Sequence, residues 1–147
     1  MITVRIEGVD RFQRLMRSFK RKLPTMTDAK VRDMAKRTRT WLQDQIRNSG
    51  LDIPANAAAY AAKKSGKPPL INTEDYVKGF MIEKLGRRSY KLKPGVGYED
   101  IGMWLEFGTA RMPPRPHFRA AQDYVDRDLG PAVVKELLDE SEKALRS

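Results

Sequence analysis

A chain of 147 residues has the length of one domain with a modest core, and no internal repeat points to an array. The absence of cysteine excludes disulfides and thiolate zinc sites, and a single histidine excludes multi-histidine metal centres and the paired-histidine metalloprotease helix. The apolar runs are too short to span a bilayer and the opening MITVRIEG lacks a signal peptide's apolar segment, so a soluble protein made inside the cell is expected, with no membrane partner. A formal net charge of +10 calls for an anionic partner, either nucleic acid or an acidic protein surface.

Ile2, Val4 and Ile6 alternate with polar residues and read as a short half-buried strand. A helix follows, with Asp10 as N-cap, Phe12, Leu15, Met16, Phe19 and Leu23 at helical spacing, and Pro24 as its end. A second helix is expected from about Asp28 to Asn48, its apolar stripe made of Val31, Met34, Ala35, Thr38, Trp41, Leu42 and Ile46, with Gly50 just beyond it. The two would form a hairpin. Residues 51–69 read as a mobile loop with a short alanine-rich helix around Tyr60.

From Tyr76 the period changes to that of strands. Val77–Leu85 and Ser89–Val96, joined by Gly86 and Arg87, are expected to pair as a hairpin and to extend the N-terminal strand into a small antiparallel sheet. Ile101, Trp104 and Leu105 mark one face of a short helix. Gly108 suits the left-handed residue past its end, and an extended arm then runs from Thr109 to Arg115, stiffened by Pro113, Pro114 and Pro116. Phe118, Ala121, Tyr124 and Val125 begin another helix, interrupted or kinked at Gly130-Pro131, and Val134, Leu137, Leu138 and Leu145 line one side of the last. The fold class is α+β, with helices packed on one face of a small sheet in a single domain, 1–147.

The basic excess lies at the N-terminal end, where residues 1–50 carry thirteen Lys or Arg against five Asp or Glu. Arg11, Arg14, Arg17 and Arg21 project from the first helix and Arg32, Lys36 and Arg39 from the second, with Lys20, Lys22, Lys30, Arg37 and Arg47 beside them. These charges are either the solvated backs of amphipathic helices or a surface for duplex phosphates or an acidic protein; no aromatic residue interleaves with them to stack on single strands.

Catalytic patterns find little support. His117, between Pro116 and Phe118, reads as a packing or interface residue, with general-base service as the alternative. Glu99, Asp100 and Glu106 are close in sequence but nothing predicts the cleft a small hydrolase would need. Glu106, flanked by Leu105 and Phe107, is either exposed at a helix end or partly buried and paired with Arg115, Arg111 or the Thr109 N–H. The glycines form no phosphate-cradling pattern, and Gly95 and Gly97 read as a turn. No catalytic residue, metal or cofactor is expected.

The segment WLEFGTARMPPRPHFRAA resembles the neck or tail-completion proteins of long-tailed bacteriophages. Glu106, Phe107, Gly108 and Thr109 match as a block, and Pro114, Pro116, Arg119 and Ala121 follow at that family's spacing. His117 stands where the family has phenylalanine and Ala120 where it has proline. Pro69, Leu70, Ile71 and Thr73 match a second motif, with Glu74 in place of its glycine, and the opening G-V-D-R-F of the first helix is also similar. The resemblance implies a virion protein without catalytic activity, a homo-oligomeric ring at the head–tail junction through which double-stranded DNA passes. Its neighbours would be head-completion and tail-tube or tail-terminator proteins. The expected interface arm comprises Glu106, Phe107, Gly108, Thr109, Arg111, Pro113, Pro114, Arg115, Pro116, His117, Phe118 and Arg119. A free duplex-DNA-binding protein is the alternative.

Overall fold

The computed structural model describes residues 9–53 and 74–146, so the expected N-terminal strand, most of the 51–69 loop and the motif at Pro69–Thr73 lie outside the described residues. Helix α1 spans Val9–Arg47, a short helix α2 spans Asp75–Lys78, and strands β1, Met81–Gly86, and β2, Ser89–Lys93, follow. Helix α3 is Glu99–Phe107, α4 is His117–Tyr124, and α5 is Gly130–Arg146. Helices with a two-stranded antiparallel sheet make this an α+β fold.

The expected helical hairpin at Pro24 is not formed. α1 runs unbroken for 39 residues, starting at Val9 rather than behind an Asp10 cap. A proline inside a helix removes one backbone bond and costs about 3 kcal/mol. Reversing the chain would instead require left-handed turn residues, and between Pro24 and Asp28 there is neither glycine nor asparagine. The far end of α1 closes with a double hydrogen-bonded cap: Ser49 N–H donates to the Ile46 carbonyl at 3.4 Å and Gly50 N–H to that of Gln45 at 2.8 Å. Ser49, not Gly50, takes the left-handed conformation, at φ 53°.

Strand β1 pairs with β2 in the register Met81↔Lys93 to Lys84↔Tyr90, with an irregularity before Gly86↔Ser89. The turn is therefore Arg87-Arg88 rather than Gly86-Arg87, and Arg88 bears the positive φ of 57°. Val77, expected in the first strand, belongs to α2 and is fully buried. Asp28 fastens the hairpin to α1, its Oδ1 accepting the Arg88 N–H at 2.9 Å and its Oδ2 the Tyr90 hydroxyl at 3.0 Å. Both bonds favour the ionised carboxylate and hold the Asp28 pKa below its ordinary value.

The core gathers Leu42 and Ile46 of α1 with Tyr76, Val77, Phe80 and Ala121; Trp41, Leu92, Leu105 and Phe118 pack against it. Trp41 stacks on Tyr124 at 4.2 Å between ring centroids, joining α1 to α4. The stripe expected along α1 is thus the one used, with Thr38 buried and its hydroxyl donating to the Met34 carbonyl. Regular α-helix is interrupted just before Gly130-Pro131, as expected, though the chain stays helical. α4 and α5 are continuous through a wide π-turn at Val125–Leu129, in which Gly130 N–H reaches the Val125 carbonyl. That wider ring lies next to Pro131, which a regular turn would hold only at a cost. Leu129 of the π-turn and Val133 and Leu137 of α5 face inward, while Val134 and Leu138 are exposed, a rotation from the stripe read in sequence.

Candidate functional site: the Glu106–His117–Tyr76 knot and the surfaces beside it

The segment that carries the sequence signal folds back on itself. α3 ends at Phe107, and Gly108 adopts φ 78°, ψ 175°, a region essentially reserved for glycine and distinct from the expected left-handed cap. A side chain there would also meet the Pro114 nitrogen at 2.8 Å and the Met112 carbonyl oxygen at 2.9 Å. Thr109 and Met112 exchange backbone hydrogen bonds of 2.9 and 3.3 Å, so the arm opens with a tight turn. Residues 113–115 are irregular, and Pro116, at φ −75° and ψ 70°, centres a three-residue turn in which the His117 N–H donates to the Arg115 carbonyl at 2.8 Å. Contrary to the expectation of an arm held away from its own domain, Arg115 is buried and its N–H donates to the Leu105 carbonyl at 2.6 Å. Thr109, Ala110, Arg111, Pro113 and Pro114 remain exposed.

Glu106 is the fastener of this turn. Its side chain is 11% exposed. Its two oxygens accept the Phe118 N–H at 2.9 Å and the Arg119 N–H at 2.8 Å, which are orphan donors of the first turn of α4. The Thr109 N–H, one of the donors expected from sequence, goes instead to the Met112 carbonyl. Carboxylate and helix start are twelve residues apart, and only the fold-back of the arm makes them neighbours.

His117 lies beneath, fully buried. Its Nδ1 stands 2.7 Å from the Arg115 carbonyl oxygen and 3.2 Å from Glu106 Oε2; both are acceptors, so Nδ1 carries the proton. Nε2 then accepts from the Tyr76 hydroxyl at 2.6 Å. Burial dominates the titration of the ring and lowers its pKa, while the Arg115 carbonyl and the Glu106 charge act in the opposite sense. Burial likewise raises the Tyr76 pKa far above that of a free phenol. The imidazole is neutral at pH 7, with both nitrogens engaged. Tyr76, Phe80 and Phe118 enclose it edge and face. Sequence reading placed His117 as a packing residue and missed Tyr76, for which a separation of 41 positions leaves no local signal.

These groups convert charge and polarity into architecture. The other carboxylates of α3 do not converge on them: Glu99 accepts the Gly97 N–H at 2.9 Å, and it and Asp100 are exposed. Among the described residues no group of three or more His, Asp or Glu side chains could hold a metal ion, and no helix is long and apolar enough to cross a membrane. A small cavity of about 150 Å³ under the hairpin is lined mainly by apolar side chains, among them Met34, Leu92 and Ala121.

Two surfaces flank the knot. On α3 the buried side is Gly102, Leu105 and Glu106, and the helix turns Met103, Trp104 and Phe107 outward at 61%, 53% and 74% exposure. Trp104 and Ile101 were expected on the covered face. Spacings of three and four residues bring Met103, Trp104 and Phe107 into one stripe.

The second surface is basic. Lys30 pairs with Glu136 and Glu140, Arg37 with Asp33 and Glu136, and Arg47 with Glu74, so these three serve the fold. Those ties raise the Lys30 pKa and lower that of Glu136. Arg14, Arg21, Arg32, Lys36 and Arg39 form no salt bridge among the described residues, and all but the half-buried Arg39 are exposed. Arg17 is also exposed, while the Arg11 side chain lies outside the described residues. Compared with models of protein families, with curated proteins and with solved structures, the chain matches none.

Proposed function

We propose that this chain is a structural subunit of the neck or tail-completion kind, which self-associates into a ring at a phage head–tail junction and has no catalytic task. The observation that carries the reading is the outward stripe of Met103, Trp104 and Phe107, adjoining the knotted Glu106–Thr109 turn. Large apolar side chains left so open on a well-packed helix lose water when a partner covers them, and tryptophan is a favoured anchor of such contacts. The occupant is a second copy. α3 carries Glu99, Asp100 and no basic residue, in a chain of net charge +10, so its rim favours a net-basic second copy in a head-to-tail contact that can close a ring. The exposed prolines Pro113 and Pro114 continue the stripe as a stiff edge that loses little entropy on docking. Head-completion and tail-tube or tail-terminator proteins would cover the ring's two ends, and double-stranded DNA would pass through it. The alternative, a duplex-binding protein acting outside a virion, draws on the basic surface alone.

Sedimentation velocity of the purified chain and of its W104E/F107E variant tests this reading. The parent is expected to sediment as a closed oligomer and the variant as a folded monomer with unchanged helicity. A parent that stays monomeric at about 100 μM would overturn the ring. An oligomer indifferent to the double variant would move the interface away from α3.

A further inference from the structure

We infer that the β-hairpin tip and the solvent side of α1 form one continuous track for the phosphate backbone of a nucleic-acid duplex, read without regard to sequence. The inference does not rest on the ring, since it uses none of the α3 residues, and failure of either leaves the other standing.

On α1, Arg21 and Arg32 are eleven positions apart and Arg32 and Arg39 seven, so at 100° per residue each step returns to within about 20° of the same line. The three therefore mark one edge of the helix over about 27 Å. Asp28 falls between Arg21 and Arg32 and slightly to one side, and it is the residue that holds the hairpin turn through Arg88 N–H and Tyr90. That placement sets the exposed Arg87 and Arg88 of the turn beside the helical line, with Lys91 on the outer face of the same strand, and Arg32 lies near enough to influence the titration of both Asp28 and Tyr90.

The local anions are already committed. Asp28 faces the hairpin, Asp33 binds Arg37, and Glu83 binds Lys93 at 3.0 Å. The six cations have no salt bridge among the described residues, and they come from two elements 48 positions apart in sequence that the fold brings together. A surface of one sign, spread over tens of ångströms, with only open hollows around Arg14–Met26 and Tyr90 turned onto Asp28, suits regularly spaced phosphates rather than a stacked single strand.

The test is fluorescence anisotropy with two labelled 24-base-pair duplexes of unrelated sequence, titrated with the full chain over a salt series. Six contacts predict equal affinity for both duplexes and a slope of log affinity against log salt of about −5. R87Q/R88N/K91Q is expected to reduce that slope by about 2 to 3 and affinity at least about tenfold, and R21Q/R32Q/R39Q to do the same. Asparagine at 88 keeps the positive φ accessible. Changing all five arginines to lysine preserves the charge and should preserve binding, which separates charge from damage to the fold. A hairpin variant that binds like the parent would overturn the joint track. So would loss of binding in the lysine variant, a parent slope shallower than about −2, or poly-glutamate or phosphatidylserine vesicles that compete as well as unlabelled duplex.

Discussion

The knot around Glu106 and the basic track along α1 are both built from charged and polar residues, and they use them in opposite ways. In the knot every polar atom has an internal partner: Glu106 with two helix amides, His117 with Arg115 and Tyr76. Among the described residues no buried side-chain nitrogen or oxygen is left without one. Along the track the arginine side chains form no salt bridge among the described residues, and all but the half-buried Arg39 are exposed. Satisfied charge in a dry interior fixes geometry, because removing one member leaves the rest unpaired at high cost. Unsatisfied charge at the surface does little for folding and is available to a partner.

The largest effect is expected from Glu106→Ala. It strips the first turn of α4 of its acceptor and leaves two amides in a partly buried setting, so stability should fall by about 3 kcal/mol. Denaturant midpoints at pH 7.5 measure this, and a loss below about 1 kcal/mol would show that the carboxylate is a bystander. The same change should leave the salt slope for duplex binding unaltered.

The pair Tyr76 and His117 sharpens the contrast next. Either Tyr76→Phe or His117→Phe leaves one buried polar group unpartnered and should cost about 1 to 3 kcal/mol, whereas the double change should cost less than the sum of the two. Additive losses would mean that the 2.6 Å contact contributes nothing to folding.

The same histidine gives the fold a pH dependence. Its folded pKa is lowered, so below about pH 6.5 the unfolded chain binds a proton that the folded chain resists, and stability present at pH 7.5 is lost as pH falls. The melting temperature should decline between pH 7 and pH 5.5 in the parent and lose that decline in the Tyr76→Phe, His117→Phe double variant. An unchanged profile would place the titrating group elsewhere.

Asp28→Asn stands at the border of the two regions and should have the smallest effect. It weakens the hairpin's attachment, so the melting temperature drops by less than for Glu106→Ala, while one less negative charge beside the track should tighten duplex binding. Weaker binding would show that the hairpin's seat, rather than its charge, governs the contact.

Much of this was legible in the residues. Period and composition identified the α1 stripe from Val31 to Ile46, the hairpin, the α+β class and the basic bias, because each depends on neighbours within one or two turns. Glu106, Gly108 and His117 stood out for the same local reason: a carboxylate between apolar residues, a glycine past a helix end, and a histidine between proline and phenylalanine. Pro24 misled because a proline's local cost is a few kcal/mol, which tertiary packing can offset.

The amino-acid sequence by itself determined most of the helical segments and the hairpin, though not the continuity of α1 through Pro24 or the helical turn at Val77, and it determined where charge accumulates and that positions 108 and 113–116 constrain the backbone. The tertiary structure alone decided which partner each of those residues meets: Glu106 the start of α4, His117 the Tyr76 hydroxyl, Asp28 the hairpin turn, and Trp104 the solvent. The physical reason is range. Backbone conformation follows from sterics and hydrogen bonds within a few residues, whereas the neutralisation of a charge or the covering of an apolar face depends on which distant surface the chain brings within a few ångströms.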